Sequence, residues 1–307
     1  MAVVTSYKGK RYGWVKRPLG IVVVLVALGG CSCEEPVEVS VDAKCAVIAE
    51  AGSGRVFFAK NADEKFPPAS TAKVMTAVLA VENLDMDTEI TPSAGALSVE
   101  PTIAGLRPGV KYRVRDLLAA VLIKSANDAA MVIAEAVAGS EKNFTAMMNR
   151  KAEEIGMKNT FFATASGLPT GKKDSQYTTA RDLADMMRYA ARHKAILEMM
   201  SKKDMYIYGS DGRRIYLKTH NKTLLSGGGN APWGKTGYTR EAKRTFAGID
   251  PSLEPKIVFS LLQSDALWKD ITELKDKGLA IYEKKHRNFF KDLIGRIKTK
   301  GKGSTGR

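Results

Sequence analysis

Cysteine and histidine are scarce in this sequence, with three of each among 307 residues. No Cys-x-x-Cys pair occurs, so the chain offers no ligand set typical of a structural zinc site, and neither a metal nor a cofactor is predicted. The histidines (His193, His220 and His286) lie in polar or charged stretches, and no Gly-x-Ser-x-Gly motif accompanies them. A serine hydrolase with a histidine base is therefore not indicated.

Most of the chain also lacks excess basic charge, although the net charge is +15. Residues 1–30 contain five Lys or Arg and no acid, and residues 284–307 contain nine Lys or Arg and one acid. These two ends carry +5 and +8, which leaves only +2 for residues 31–283. That long segment has no stripe of basic and aromatic residues, so nucleic-acid binding is not predicted.

The apolar run near the N-terminus is too short to be an ordinary membrane-spanning helix. It covers Leu19–Leu28, whereas a transmembrane helix needs about 20 residues. Five basic residues precede it and Gly29-Gly30-Cys31 follows it, an arrangement typical of a signal peptide. The junction resembles the lipobox of bacterial lipoproteins, which implies cleavage before Cys31 and lipidation of that residue. The alternative is an uncleaved signal anchor.

We therefore predict a signal peptide over residues 1–30 and a chain that is exported and anchored at the extracytoplasmic or periplasmic face of a bacterial membrane. Residues 31–43 are predicted to be a spacer, because positions 34–43 are acidic and contain a proline. Pairing of Cys33 with Cys45 is left open. Because Cys45 lies in an apolar run, we expect it to be buried as a small hydrophobic side chain.

Hydrophobic periodicity predicts an α+β body. Two strands joined by a glycine-rich turn open the body, helices fill its middle, and three strands and a long helix from Trp268 close it. The sheet therefore needs pairing between distant parts of the chain. Strands are predicted at 45–50, 55–59, 235–238, 245–249 and 257–262, and helices at 70–83, 114–124, 128–138, 141–155 and 179–193.

Ser70 and Lys73 stand at the start of the first predicted helix, directly after Pro67-Pro68-Ala69. Residues three apart on a helix share a face, so the lysine amine is expected beside the serine hydroxyl. A serine needs a neighbour that takes its proton, and a lysine can do this when burial lowers its pKa. The alternative is an ordinary helix start in which the Ser-x-x-Lys spacing arises by chance.

Two further polar segments interrupt apolar surroundings. Lys124-Ser125-Ala126-Asn127-Asp128 joins two apolar helices, where Asn127 or Asp128 can also serve simply as a helix N-cap. Lys235-Thr236-Gly237 follows a glycine-rich loop and opens a strand, where a lysine can also simply protect an exposed sheet edge. Each of these purely structural explanations is reasonable by itself. The occurrence of all three polar segments in one sequence, however, is not explained by chance.

The order Ser-x-x-Lys, Ser-x-Asn, Lys-Thr-Gly is that of penicillin-binding proteins and class A β-lactamases. The surrounding sequence resembles the D-alanyl-D-alanine carboxypeptidases, which are low-molecular-mass penicillin-binding proteins, from about Cys45 to Tyr282. The resemblance implies the β-lactamase/DD-peptidase-like fold, in which an antiparallel sheet is flanked by helices and accompanied by an all-helical subdomain, and a catalytic domain over residues 44–285. The stretches that carry it are EKFPPASTAKVMTA, LIKSANDAAMVIAEAVAG, FTAMMNRKAEEIGMKNTFF, SGLP, YTTARDLA and GKTGYT.

The resemblance also implies residue roles. Ser70 would attack the bond between two D-alanines of a peptidoglycan stem peptide, with Lys73 as its base. Ser125 would relay protons and Asn127 would hold the substrate amide. The terminal carboxylate of the substrate would be bound by Lys235 and Thr236. Gly237 would let the substrate approach the backbone of the strand closely. The backbone N–H groups of Ser70 and Tyr238 would form the oxyanion hole, and a β-lactam would be trapped as an ester.

Some features depart from the family pattern or leave alternatives open. Tyr238 stands where some relatives carry histidine. Many relatives have a second, β-rich domain, for which the residues after Tyr282 are too few. A class A-like β-lactamase is disfavoured because the stretch SGLPTGKKDSQYTTARDLADMM offers no glutamate for deacylation. A D,D-endopeptidase that cuts cross-links remains open, as do the oligomeric state, the organism and the membrane leaflet.

The C-terminal segment 286–307 is predicted to be a basic amphipathic tail. Its apolar residues recur at steps of three and four, and Lys and Arg occupy the other positions. Such a helix can lie on an anionic membrane surface and add to a lipid anchor. The alternative is that its apolar face packs against the body.

Overall fold

The computed structural model describes residues 37–99, 101–171 and 176–301, with side chains as far as residue 287. A 3-10 turn over Ala69–Ala72 precedes the first helix. The strands are β1 (Cys45–Glu50), β2 (Val56–Lys60), β3 (Glu89–Ile90), β4 (Tyr112–Arg113), β5 (Asp204–Tyr208), β6 (Arg214–Lys218), β7 (Trp233–Thr239), β8 (Lys243–Ile249) and β9 (Ile257–Ser264). The helices are α1 (Lys73–Asn83), α2 (Ala94–Leu97), α3 (Val114–Leu122), α4 (Asn127–Ala138), α5 (Glu141–Glu154), α6 (Ala180–Ala190), α7 (Lys194–Ser201), α8 (Lys222–Ser226) and α9 (Leu267–Gly301).

The main sheet has five antiparallel strands in the order β2-β1-β9-β8-β7. Strand β1 pairs with β9 across more than two hundred residues of sequence, from Cys45 opposite Leu262 to Glu50 opposite Ile257. The expected non-local pairing is therefore confirmed, and β7 is an edge strand. Two small sheets, β3–β4 and β5–β6, lie outside the main sheet.

Two hydrophobic clusters cover the two faces of the main sheet. The larger one joins one face to helices α1, α3, α4, α6 and α7, and it includes Val47, Leu118 and Leu183. The smaller one joins the other face to α9, where Phe259 packs with Ile271. The central strands are buried from both sides, which is why β1 and β9 read as continuous apolar runs rather than alternating ones. The predicted α+β fold is confirmed.

A buried carboxylate ties the start of the body to its last helix. Asp270, in the first turn of α9, accepts hydrogen bonds from the N–H groups of Asp42 and Ala43, at 2.8 and 2.9 Å, and from the hydroxyl of Ser264 at 2.7 Å. A carboxylate near a helix N-terminus is also favoured by the helix dipole. The contact fixes residues 42 and 43 where they lead into β1.

The predicted helices and strands match the observed ones to within a few residues. Cys45 is buried, as predicted. The sequence analysis missed both small sheets, β3–β4 and β5–β6, and the short helices α2, α7 and α8. In the part of the chain that the structure describes, no helix combines the length and the hydrophobicity of a membrane span.

Several predictions concern parts that lie outside the described residues. These are the signal peptide over 1–30, the lipidated Cys31, Cys33 and the last six residues. The backbone of the predicted tail is helical as far as Gly301 and continues α9 without a break at residue 286. At that point His286 contacts the carboxylate of Glu50 on β1, at 2.8 Å. The predicted domain boundaries remain predictions.

Candidate active site

Ser70 lies in the 3-10 turn that leads into α1. Ala69 before it has a positive φ of 48°, which is uncommon for a residue with a side chain. The segment around Gly167 packs so tightly on this turn that a Cβ on Gly167 would stand 1.9 Å from the carbonyl oxygen of Ala69. The turn is therefore held in an unfavourable backbone conformation by its surroundings, as is common at functional sites.

Lys73 is fully buried, and its Nζ lies 3.0 Å from Ser70 Oγ and 2.7 Å from the carbonyl oxygen of Ser166. The spacing of Ser-x-x-Lys thus brings the two side chains together. Burial lowers the pKa of Lys73 well below its usual value, and the positive charge of Lys235 lowers it further. The charge of Asp128 acts in the opposite direction. An amine in this position is able to take the proton of the Ser70 hydroxyl.

Ser125 lies in the connection between α3 and α4, Asn127 is the first residue of α4, and both are buried. Ser125 has a positive φ of 63°, so it is a second residue of the site in the left-handed region. The N–H of Asn127 donates to the carbonyl of Thr102 at 2.7 Å. The N-cap position of α4 is Ala126, whose side chain makes no capping hydrogen bond. Simple capping by Asn127 or Asp128 therefore does not explain this segment.

Asp128 has a structural task that the sequence reading missed. Its carboxylate accepts hydrogen bonds from the N–H groups of Ala104, Gly105 and Leu106, at 2.8, 3.0 and 3.2 Å. These contacts fix the loop that also carries Thr102, a residue that lines the cleft described below. Asp128 thus positions this loop and places a negative charge near Lys73.

The edge strand β7 brings Lys235, Thr236 and Gly237 beside the serine turn. Burial lowers the pKa of Lys235 to about 7. A Cβ on Gly237 would stand 2.9 Å from the backbone nitrogen of Ser70 and 2.3 Å from Thr245 Oγ1, so glycine is needed for this close approach. The next residue, Tyr238, is 67% exposed.

A cleft of about 490 Å³ opens over these residues. Of the predicted site residues, five contribute to its wall, whereas Lys73, Asn127 and Lys235 are buried. The wall contains no Asp or Glu among the described residues. It is formed by Ser70, Thr102, Ser125, Thr219, His220, Lys222, Leu225, Thr236, Gly237, Tyr238, Arg244, Leu267 and Trp268.

His220 and Arg244 are wall residues that the sequence reading did not select. Partial burial lowers the pKa of His220, and the positive charges of Lys235, Lys124 and Lys73 lower it further. Arg244 on β8 pairs with Tyr238 on β7, and its guanidinium lies 5.8 Å from the centre of that ring. The register between β7 and β8 places it there, which no local sequence motif indicates.

The described residues 37–99, 101–171 and 176–301 hold no group of three or more His, Cys, Asp or Glu side chains arranged to bind a metal ion. The arrangement is instead one hydroxyl nucleophile, one buried amine beside it, a second buried lysine, and a strand that passes close to the backbone nitrogen of the serine. These are the parts of acyl transfer through a serine ester.

Comparison with known proteins agrees with this chemistry. Residues 32–251 match the family described as D-alanyl-D-alanine carboxypeptidase, peptidase S11. The carboxypeptidase DacF of Bacillus subtilis is 34% identical over 211 residues, which are 67% of this chain and 53% of the relative. The carboxypeptidase DacB2 of Mycobacterium tuberculosis is 29% identical over 241 residues, which are 76% of this chain and 81% of the relative. The chain thus spans about half the length of the Bacillus relative.

The fold is also found among solved structures. A penicillin-binding protein homologue from M. tuberculosis superposes with a TM-score of 0.73 and 28% identity, over 81% of this chain and 95% of that one. The structural similarity therefore extends over most of the body.

Replacing Asp128 by asparagine is expected to change both stability and the pH dependence of the site. One amide NH2 group would face backbone donors, so the free energy of unfolding should fall by about 2 to 4 kcal/mol. Because the charge of Asp128 raises the pKa of Lys73, its loss should shift the acid limb of Ser70 acylation by fluorescent penicillin to lower pH.

Asp116→Asn is the control, since that carboxylate is half-buried on α3 and does not number among the charges acting on Lys73. It should leave the acid limb where it is. An unchanged limb in Asp128→Asn would contradict the electrostatic role of Asp128.

Proposed function

Because the chain belongs to the D-alanyl-D-alanine carboxypeptidase family, peptidase S11, we propose that it removes the terminal D-alanine from peptidoglycan stem pentapeptides through a serine ester. The observation that carries the proposal is the buried Lys73 amine 3.0 Å from Ser70 Oγ. The same site would be acylated by penicillins. This activity belongs to the cell wall, outside the cytoplasm.

In the first step, neutral Lys73 takes the hydroxyl proton as Ser70 Oγ attacks the carbonyl carbon between the two D-alanines. A tetrahedral intermediate forms and its oxygen becomes negative. The N–H groups of Ser70 and Tyr238 are proposed to bind that oxygen. The close approach of Gly237 to the nitrogen of Ser70 supports this, because it brings the two backbone segments together.

The intermediate collapses when the C–N bond breaks and the leaving amine receives a proton. Ser125 is proposed to pass the proton from Lys73 to that amine, which leaves as free D-alanine. Asn127 is proposed to hold the amide of the remaining peptide. Water then attacks the ester and restores the Ser70 hydroxyl.

The terminal carboxylate of the substrate is proposed to bind at Lys235 and Thr236. Lys235 is buried and donates to the carbonyl of its neighbour Thr236, at 2.7 Å, so it mainly supplies positive potential. Arg244 is a further cation on the cleft wall and is a second partner for the carboxylate. A bound carboxylate favours the charged form of Lys235, which the empty site disfavours.

The cleft wall also bears on penicillin. Rapid hydrolysis of a penicilloyl ester needs a base for the attacking water, and in class A β-lactamases a glutamate does this. The described residues of the cleft wall include no carboxylate. We therefore propose a penicilloyl ester that persists, rather than β-lactamase activity.

The test of the proposed activity is digestion of defined muropeptides with the full chain. A pentapeptide monomer should lose one D-alanine, and Ser70→Ala should release none while keeping its unfolding temperature. Cross-linked dimers should remain uncut. Cleavage of dimers without loss of the terminal D-alanine would instead support the D,D-endopeptidase, and no cleavage of either substrate would refute the proposal.

Lys73 should govern the rise of acylation with pH. The amine must be neutral to act, and its pKa is below that of an ordinary lysine. The rate should therefore increase as pH rises through this lowered pKa and level off before pH 10.5, the ordinary lysine value. Lys73→Arg keeps the charge but cannot lose its proton, so penicillin acylation should fall by about 100- to 10,000-fold.

Lys235→Met provides the matched test of the electrostatics. Since the charge of Lys235 lowers the pKa of Lys73, its removal should move the acid limb to higher pH, opposite to Asp128→Asn. The control is Lys269→Met, because Lys269 is exposed on α9, and this variant should not move the acid limb.

A Lys73→Arg variant acylated within tenfold of the parent would exclude Lys73 as the base.

We also propose that Cys31 carries a lipid that anchors the chain, with the C-terminal tail adding attraction to anionic lipids. The support is the signal-like sequence before Cys31, and for the tail a helical backbone as far as Gly301 combined with its basic, periodic sequence. Each Lys or Arg near an anionic surface contributes about 1 kcal/mol.

Cys31→Ser and the lipoprotein signal-peptidase inhibitor globomycin should each cause a larger precursor to accumulate. Deleting residues 287–307 from a form that starts after Cys33 should reduce its co-sedimentation with anionic liposomes, more at low salt than at high salt. Unchanged processing in both treatments would favour the uncleaved signal anchor. Equal liposome binding with and without the tail would exclude its membrane role.

A further inference from the structure

The hairpin β5–β6 presents an unusual exposed face. Three of the ten tyrosines of the chain lie on it: Tyr206, Tyr208 and Tyr216 are 44%, 57% and 44% exposed. Tyr206 pairs with Tyr216 across the two strands, with ring centres 5.1 Å apart. The guanidinium of Arg214 lies over Tyr206, at 4.8 Å. Single exposed aromatic residues are common, but a cluster on one face indicates a binding surface.

The opposite face of the hairpin is anchored in the core. Ile207 and Leu217 are fully buried there, in the larger hydrophobic cluster. The hairpin tip is also tied down, because Asp211 forms an ion pair with Arg107 at 2.7 Å. The tyrosines are therefore carried by a fixed scaffold, which lowers the entropy that binding a ligand costs.

Along the chain, the tyrosine face leads toward the cleft. Side chains alternate along a strand, so Arg214, Tyr216 and Lys218 point to the same exposed side, and His220 follows two residues later. His220 is part of the cleft wall. From Arg214 to Lys218, β6 covers about 13 Å at the usual rise of a strand, and His220 follows directly after the strand ends. A polymer that enters the cleft can therefore also lie along this face.

We propose that the face formed by Tyr206, Tyr208, Tyr216 and Arg214 binds the sugar chain of peptidoglycan while its stem peptide occupies the cleft. The inference rests on the proposed function, because it assigns the second part of the same substrate. Tyrosine suits this ligand, since its ring packs on the C–H face of a pyranose and its hydroxyl bonds to sugar hydroxyl or acetamido groups.

The charges of the face also favour a neutral, hydroxyl-rich ligand. Asp204 is paired in register with Lys218, and Arg214 lies over an aromatic ring, so the net charge of the face is only +1. A polyanion would need a strongly positive groove along its backbone. A protein–protein interface usually has a dry apolar centre, whereas on this face charged side chains lie beside the tyrosines.

The experiment measures binding of the full chain, inactivated by Ser70→Ala, to purified peptidoglycan sacculi by co-sedimentation. Adding Tyr206→Ala and Tyr216→Ala should weaken binding at least tenfold, while Tyr206→Phe with Tyr216→Phe should retain most of it because the rings remain. Phe161→Ala is the control, since Phe161 is 44% exposed and lies outside the hairpin. Glycan chains stripped of stem peptides should compete, and free pentapeptide should compete less.

In the enzyme with intact Ser70, the double alanine variant should release D-alanine from a sugar-free pentapeptide at the parent rate but act more slowly on sacculi. Sacculus binding equal to the parent, or an equal loss in Phe161→Ala, would overturn the inference. Loss of penicillin acylation in the double variant, or competition by pentapeptide alone, would also overturn it. If the parent released no D-alanine from either substrate, the proposed activity would fail, yet sacculus binding would still decide the sugar site.

Discussion

The burial of the Lys73 amine is the constraint on which the rest of the site depends. A charged amine in the protein interior is costly, and the cost appears as a lowered pKa. At pH values between that lowered pKa and 10.5, the Lys73 side chain is mostly protonated in the unfolded chain and mostly neutral in the folded one. The unfolded chain therefore binds more protons in this range. Stability contributed by this position therefore increases as pH rises through this window. Burial of the Lys73 amine thus lowers the stability of the fold near neutral pH, but it also provides an amine that can lose its proton.

Two close backbone contacts keep the Ser70 hydroxyl beside the Lys73 amine. Gly167 packs on the carbonyl of Ala69 from one side, and Gly237 packs on the nitrogen of Ser70 from the other. Any side chain at either glycine would push the serine turn away from its neighbours. The turn is strained at Ala69 and cannot relax, because the edge strand β7 and the loop at residue 167 enclose it. This is how a flexible hydroxyl acquires a fixed direction.

The sequence predicted those parts of the site that lie on strongly periodic elements. Ser70 and Lys73 are one turn apart at a helix start, and Lys235 to Gly237 belong to a regular strand, so local spacing was sufficient. It was not sufficient for Arg244, whose place depends on the register of β7 against β8. Nor did it find the contacts of Asp128, which join a helix to the backbone of a loop more than twenty residues earlier. The hairpin β5–β6 was overlooked although its apolar and polar residues alternate.

The balance of charge follows from the same constraint. Lys73 and Lys235 are both buried and both have lowered pKa values, and the repulsion between them is one reason that Lys73 can be neutral. In the proposed complex, an anionic substrate group beside Lys235 would offset that repulsion and favour the proton on Lys73. The substrate would also exclude water from the cleft, which would disfavour the charged amine again. Asp128 raises the pKa of Lys73, so it opposes both the repulsion from Lys235 and the effect of burial. It is buried and its carboxylate is held by backbone N–H groups, so it stays in one place whether or not the cleft is occupied.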